Sequence, residues 1–384
     1  LISRNQTPRT NTPRAAAFAY TRRTSVFVPS SGFNTMISRR RHAAVFLLSV
    51  CLAAGLMPAH AGPIADMLRE RAQQRSAENG DDLSDLGGAG GNAMSCADWS
   101  KRVKRAEARN AGRNAGPTPD FPDLAYGDAP LQKLDVFRAQ GPSAAGGAPV
   151  IVMVHGGGWC VGDKGGAQIT QNKVARWSPK GFVFVTVNYP MVGEGSDAIA
   201  QAHHVARAVA YVQTHAREWG GDPAKLILMG HSAGAHLVSL VNADAQIRAA
   251  EGVRPVLGTI SLDAGAIDVV VQMPHVYPFL KARYREAFGD NEAGWIAASP
   301  FHKLDRSAAP WLGVCSTKRK DDPCSQARAY ADKSNALGIH AAVLPQPKNH
   351  GAINKELGTA GDYTQGVEAF MATLDPVVAQ LLKR

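Results

Sequence analysis

Runs without polar positions alternate with amphipathic stretches from about residue 130 to the C-terminus. Residues 149–154, Pro-Val-Ile-Val-Met-Val, are wholly apolar, which predicts a strand buried on both faces of a parallel sheet. Residues 182–189 are β-branched and aromatic and stop at Pro190, and residues 226–229, Leu-Ile-Leu-Met, form a third such run. Shorter strand patterns occupy residues 134–137, 255–263, 310–316 and 341–344. Between them, residues 169–178 and 198–219 have helical spacing, with Ala202, Val205, Ala206, Val209 and Val212 sharing one broad face. This alternation predicts an α/β fold: a mostly parallel central sheet flanked by helices on both faces. Residues 272–300 break the pattern and carry Tyr277, Phe279, Leu280, Tyr284, Phe288 and Trp295. Such an insertion between late strands reads either as a lid or substrate wall or as an ordinary packed helical excursion.

The N-terminal third reads differently. Residues 62–116 are polar and rich in Gly and Ala, with Gly87-Gly88-Ala89-Gly90-Gly91 in the middle. A stretch that buries so little area predicts a flexible tether holding a short helix near residues 99–108, before a folded domain over 117–384. Arg39-Arg40-Arg41, an apolar run over 43–56 and Ala59-His60-Ala61 have the three-part layout of a signal peptide, so residues 36–61 are expected to be a leader cleaved near Ala61. The apolar run is short for a bilayer span. Residues 1–35, Arg-rich and patternless, read as non-native upstream sequence.

The leader also changes the meaning of the charge. The formal net charge is +10, but residues 1–61 hold eight arginines and no acid, leaving 34 basic against 32 acidic residues in the remainder. No basic stripe with interleaved aromatics survives there, so no nucleic-acid partner is expected, and no stable membrane span once the leader is removed. Export predicts a periplasmic or secreted protein, in which the four remaining cysteines can be oxidised. Cys315 and Cys324 flank a short polar loop and are the favoured pair, with Cys96 and Cys160 as complement. No metal is expected, because no paired Cys-x-x-Cys or His-x-x-x-His cluster occurs, and no cofactor is called for.

Candidate chemistry begins where the run 226–229 ends. Gly230-His231-Ser232-Ala233-Gly234 leads into the helix-compatible residues 235–241, the strand-turn-helix layout of a nucleophile elbow. A serine hydroxyl needs an adjacent base, and the base an orienting acid. The order expected in this layout is Ser, acid, His, each after a strand. Asp321 and Asp322 follow the strand pattern at 310–316, and His350 follows the one at 341–344. Asp322 is the favoured acid, Asp321 its alternative and Asp268 a distant third, while His231 is expected to be a structural neighbour of Ser232. Gly156-Gly157-Gly158, directly after the first buried strand pattern, would let backbone amides turn toward a substrate oxygen together with the N–H of Ala233.

His155-Gly156-Gly157-Gly158-Trp159, Gly162-Asp163-Lys164, Asn188-Tyr189, Gly230 to Leu237 and His350 together resemble the HGGG-motif esterase/lipase branch of the alpha/beta hydrolases. That branch includes the hormone-sensitive-lipase-like carboxylesterases and the kynurenine-formamidase-like enzymes. The resemblance covers about residue 117 to the C-terminus. It implies a triad of Ser232, Asp322 and His350, with an oxyanion hole from Gly157, Gly158 and Ala233. One departure is the acid loop, Lys318-Arg319-Lys320-Asp321-Asp322-Pro323-Cys324, which lacks the usual glycine and single aspartate. The expected function is an exported serine esterase acting on short to medium acyl or aryl esters, with a small-molecule ester as its partner. Amide hydrolysis on the same machinery, and a catalytically silent binding protein of the same fold, are the alternatives.

Overall fold

The runs without polar positions become the middle of a single sheet. The computed structural model describes residues 93–109, 116–141 and 146–384; the expected leader and most of the expected tether lie outside them. Eight strands are present among these residues: β1 (Phe121–Ala125), β2 (Lys133–Phe137), β3 (Ala148–Val154), β4 (Val183–Val187), β5 (Gly221–His231), β6 (Gly258–Leu262), β7 (Trp311–Ser316) and β8 (Ala341–Gln346). Their order across the sheet is β1-β2-β4-β3-β5-β6-β7-β8. The first two pairings are antiparallel and the rest parallel, so β3 to β8 all end at one edge. Only β1 has no counterpart in the sequence patterns. It contains Pro122 and is half exposed, which suits an edge strand and hides it from a search for apolar runs.

Period-two alternation sends successive side chains of the central strands to opposite faces. Val150, Val152, Val154, Leu226 and Leu228 join one core with the helices Ala198–His215 and Ala233–Ala243. Ile151, Met153, Ile227 and Met229 join the other, with Trp177, Val367, Phe370 and Met371 from helices Ala167–Trp177 and Asp362–Leu374. Both faces are therefore covered, as the uninterrupted apolar runs require. The helix expected over 198–219 ends at His215 and continues as a 3-10 turn, Ala216–Trp219, closed by Gly220 at φ 83°. Among the described residues no helix is long and apolar enough to cross a membrane.

Within the segment expected to be a tether, Cys96–Arg109 is helical. Ser95 supplies the cap, its Oγ accepting from the amide of Asp98 at 3.1 Å. The helix is held to the domain at its start: Cys96 is bonded to Cys160, its amide donates to Glu286 Oε2 at 3.1 Å, and buried Trp99 lies under the Arg283 guanidinium at 4.9 Å. The second expected disulfide, Cys315–Cys324, is also formed.

Candidate active site

Parallel strands bring their carboxyl ends to one edge, and that edge gathers the chemistry. Ser232 sits between β5 and helix Ala233–Ala243 at φ 55°, ψ −117°, a conformation L-residues rarely adopt. Its amide donates to Leu262 O at 3.0 Å and its carbonyl accepts from Gly265 at 3.1 Å, so the turn is pinned to the end of β6. The two flanking glycines are needed for close approach. A Cβ on Gly230 would lie 2.3 Å from Gly234 O, and one on Gly234 would lie 2.2 Å from Val154 O.

His350 opens the helix His350–Glu356 after β8 and is buried. Its Nδ1–H donates to Asp263 Oδ2 at 2.6 Å, which leaves Nε2 for the cavity it shares with Ser232. The acid is the point at which the structure departs from the sequence reading. Asp322 caps helix Pro323–Ala336 by accepting from Ser325, and its side chain is 64% exposed. The Asp321 side chain is buried but is taken by Arg319, whose Nε and Nη2 reach its two oxygens at 3.0 and 2.5 Å. Asp268 caps the short helix Val269–Gln272 and faces His302. None of the three meets His350. Asp263 does, from the end of β6, the strand next to β5. The signal available in the sequence was a carboxylate placed directly after a short apolar strand and followed by Ala264-Gly265. It follows β6, one strand earlier than the expected acid loop after β7.

Asp263 sits at φ 49°, a left-handed conformation that aspartate tolerates better than most residues. Burial would raise its carboxyl, but the Arg319 guanidinium, the His350 hydrogen bond and the amide of Ser316 at 2.8 Å outweigh it and hold the group well below the ordinary carboxylate range. His231 lies beside this pair, its ring 4.5 Å from that of His350, and its Nε2 bonds to the His350 carbonyl at 3.0 Å. Burial, then the neighbouring His350, pushes His231 well below the ordinary histidine value, so it is a neutral structural neighbour.

The glycine loop after β3 lies against the serine turn. A Cβ on Gly156 would fall 2.9 Å from Ser232 Cβ, while Gly157 and Gly158 hold φ 119° and 60°. Trp159 anchors the loop, buried against Tyr284 and Phe288 at ring distances of 4.9 and 4.7 Å. Its Nε1–H donates to His236 Nδ1 at 3.3 Å, and His236 Nε2–H donates to Ala298 O at 2.8 Å. Behind it, the His155 ring stacks on Tyr189, whose hydroxyl donates to His155 O at 3.0 Å. Gly162-Asp163-Lys164 and Asn188 form a second brace: the Lys164 amide donates to Asn188 Oδ1, and Lys164 Nζ pairs with Asp123 and Asp135 at 2.9 and 2.8 Å. Asp163, Lys164 and Asn188 therefore hold the loop's shape, while Trp159 also lines the cavity.

Gly158, Ser232, His350, Leu280, Arg283 and Tyr284 line one open cavity. Leu280, Arg283 and Tyr284 come from the 272–300 insertion, so that segment is a wall of the cavity. Among the described residues no group of three or more His, Cys, Asp or Glu is arranged to hold a metal ion.

Solved esterases share this architecture. Superposition on esterase B from Lactobacillus rhamnosis gives a TM-score of 0.57 at 18% identity, covering 74% of this chain and 94% of that one. A thermophilic esterase from the Planctomycetes species Thermogutta terrifontis, propionate bound, gives 0.53 at 21% identity, covering 69% and 96%. The likeness is one of fold: a mostly parallel sheet with helices on both faces, as in these alpha/beta-hydrolase esterases. The family model described as BD-FAE matches residues 134–317, which include Ser232 and Asp263. Esterase LipQ of Mycobacterium tuberculosis is 28% identical over 253 residues, 61% of this chain and 57% of its own length. Isoprenylcysteine alpha-carbonyl methylesterase ICME of Arabidopsis thaliana is 24% identical over 248 residues, 59% of this chain and 55% of its own. The chain thus spans little more than half the length of these relatives.

Proposed function

We propose that the protein is an exported serine hydrolase that cleaves carboxylic esters of short to medium acyl or aryl substrates through a covalent acyl-enzyme. Ser232 Oγ attacks the ester carbonyl while His350 Nε2 takes its proton, and Asp263 holds the imidazole and offsets the charge it gains. The carbonyl oxygen, now an anion, is met by the amides of Gly157, Gly158 and Ala233. Collapse of the tetrahedral intermediate breaks the ester C–O bond, and His350 returns the proton to the departing alcohol. Water then enters by the same path: His350 takes its proton, the hydroxide attacks the acyl carbon, and Ser232 leaves reprotonated as the carboxylic acid departs.

The observation that carries this reading is the 2.6 Å Asp263–His350 hydrogen bond at the cavity holding Ser232. It supplies the oriented base that a serine nucleophile requires. The esterase names of the relatives LipQ and ICME agree with it. The cavity wall carries Leu280 and Tyr284 beside Gly158, which suits a small apolar acyl or aryl group. Two disulfides support a location outside the cytoplasm. The test is a panel of p-nitrophenyl esters from acetate to octanoate, with N-formylkynurenine and a short peptide alongside. Turnover of the shorter esters that disappears in Ser232→Ala is expected; full activity in that variant, or turnover of the amides alone, would overturn the reading.

A further inference from the structure

Four groups form a buried row of alternating character: the His350 imidazole, the Asp263 carboxylate, the Arg319 guanidinium and the Asp321 carboxylate. Asp263 Oδ2 receives His350 Nδ1–H at 2.6 Å and lies 3.2 Å from Arg319 Nη1. The same Nη1 donates to Ala264 O at 3.2 Å, so Arg319 holds the backbone beside the acid as well as its side chain. Its Nε and Nη2 take both oxygens of Asp321, which is fixed further by Gln272 Nε2 at 3.2 Å. Arg319 and Asp321 are 4% and 3% exposed at their side chains, so water screens neither. The loop that carries them is closed by Cys315–Cys324 and stitched to the His350 loop by Ser316 Oγ, which donates to Lys348 O at 2.7 Å.

We infer that Arg319 is a positioning residue for the acid of the triad: it fixes the Asp263 carboxylate toward His350, and Asp321 cancels the positive charge it would otherwise impose on the imidazole. The inference rests on the hydrolase reading of Ser232, Asp263 and His350. The arrangement answers a specific difficulty. A carboxylate buried as deeply as Asp263 is costly to keep charged, and a lone arginine beside it would also repel the imidazolium that forms during turnover. A second carboxylate on the far side of the arginine removes that repulsion, and its two-point grip on Nε and Nη2 leaves Nη1 turned to Asp263. The other charged or titratable groups around the pair are His231 from β5, Lys173 from helix Ala167–Trp177, Arg283 and Tyr284 from the cavity wall, and Tyr363 from helix Asp362–Leu374. Arg319 is the cation in direct contact with the acid.

The experiment is the pH profile of kcat/KM for p-nitrophenyl butyrate with the full chain, in wild type, Arg319→Gln, Arg319→Lys and Asp321→Asn. Removing the cation eases protonation of the imidazole, so Arg319→Gln moves the acid limb to higher pH by about one unit and lowers kcat with KM little changed. Asp321→Asn leaves the cation uncancelled and moves the limb the other way. Arg319→Lys keeps the charge and loses the fork, so the limb stays near its wild-type position while kcat remains reduced. The hydrogen-bonded His350 Nδ1 proton, followed by downfield proton NMR against pH, reads the same opposed shifts without turnover. It therefore separates a failure here from a failure of the hydrolase reading. Limbs and resonances that stay in place, or move in one direction in both Arg319→Gln and Asp321→Asn, would overturn the inference.

Discussion

His350 Nδ1 and Asp263 Oδ2 are 2.6 Å apart although 87 residues separate them in the chain. The bond joins the loop after β8 to the end of β6 and passes by the loop after β7, where Asp321 and Asp322 lie. Replacing Asp263 with Asn keeps the shape of the side chain but removes the charge and favours the wrong imidazole tautomer. A loss of roughly 1,000- to 10,000-fold in kcat is expected, the scale seen when the triad acid of a serine hydrolase is amidated. Asp322→Ala, which removes an exposed cap, should keep activity within about twofold and cost about 1 kcal/mol of stability. Esterase rates and thermal melts of the two variants side by side check both statements.

Much of this was open to reading in the sequence. The runs 149–154, 182–189 and 226–229 specify buried parallel strands because a side chain facing either core must be apolar. Ser232 and its glycines are equally local, since a tight turn between strand and helix dictates small residues around it. The acid was not local. Which of several carboxylates meets His350 depends on how far β6, β7 and β8 each extend past the sheet edge, and on Arg319 drawing Asp321 aside. Neither leaves a trace within a few residues of the acid. The N-terminal helix, by contrast, is expected from the sequence near residues 99–108, and the bond that fixes it, Cys96 to Cys160, is the expected complement pair; its polar, charged composition hides only that it docks on the domain rather than lying in a free tether.

The close approach at Gly234 leads to a sharp expectation. A methyl there would meet Val154 O at 2.2 Å and His155 O at 2.5 Å, forcing the serine helix away from the glycine loop. Gly234→Ala should lose about 2 kcal/mol or more of stability and most of its activity. At Gly193 an added Cβ meets nothing within 4 Å, and Gly193→Ala should be near neutral in both respects. Urea unfolding with parallel rate measurements tests the contrast.

Acid should unfold the protein partly through His236. Burial pushes this ring from 6.5 to about 4, where Nδ1 accepts from Trp159 and Nε2–H donates to Ala298 O. Below pH 6.5 the unfolded chain takes up a proton that the folded ring does not, so stability present above pH 6.5 is lost as the pH falls toward 4. The drop amounts to about 3 kcal/mol at ~1.4 kcal/mol per pH unit. Burial lowers His155 and His231 as well, which adds to the loss in the same direction. Unfolding free energies between pH 4 and 7 should fall more steeply for wild type than for His236→Gln.

The Cys96–Cys160 bond closes a long loop and holds the N-terminal helix to the domain. Replacing both cysteines with serine should cost about 4 kcal/mol on the loop-entropy account. Amides of Cys96–Arg109 should then exchange faster while those of β3 and β5 keep their order of protection. Hydrogen-exchange mass spectrometry distinguishes this local release from global loosening.

The central claim is that Ser232 is a nucleophile activated by His350 and Asp263. It is tested most directly by reacting the full chain with a fluorophosphonate and locating the adduct by peptide mass spectrometry. One stoichiometric adduct on Ser232 is expected, forming at least ~100-fold more slowly in His350→Ala and Asp263→Asn but at the wild-type rate in Asp322→Ala, a scale set by the loss of a triad partner at ~1,000-fold or more. An adduct elsewhere, no adduct at all, or labelling that survives Asp263→Asn and is lost in Asp322→Ala would contradict it.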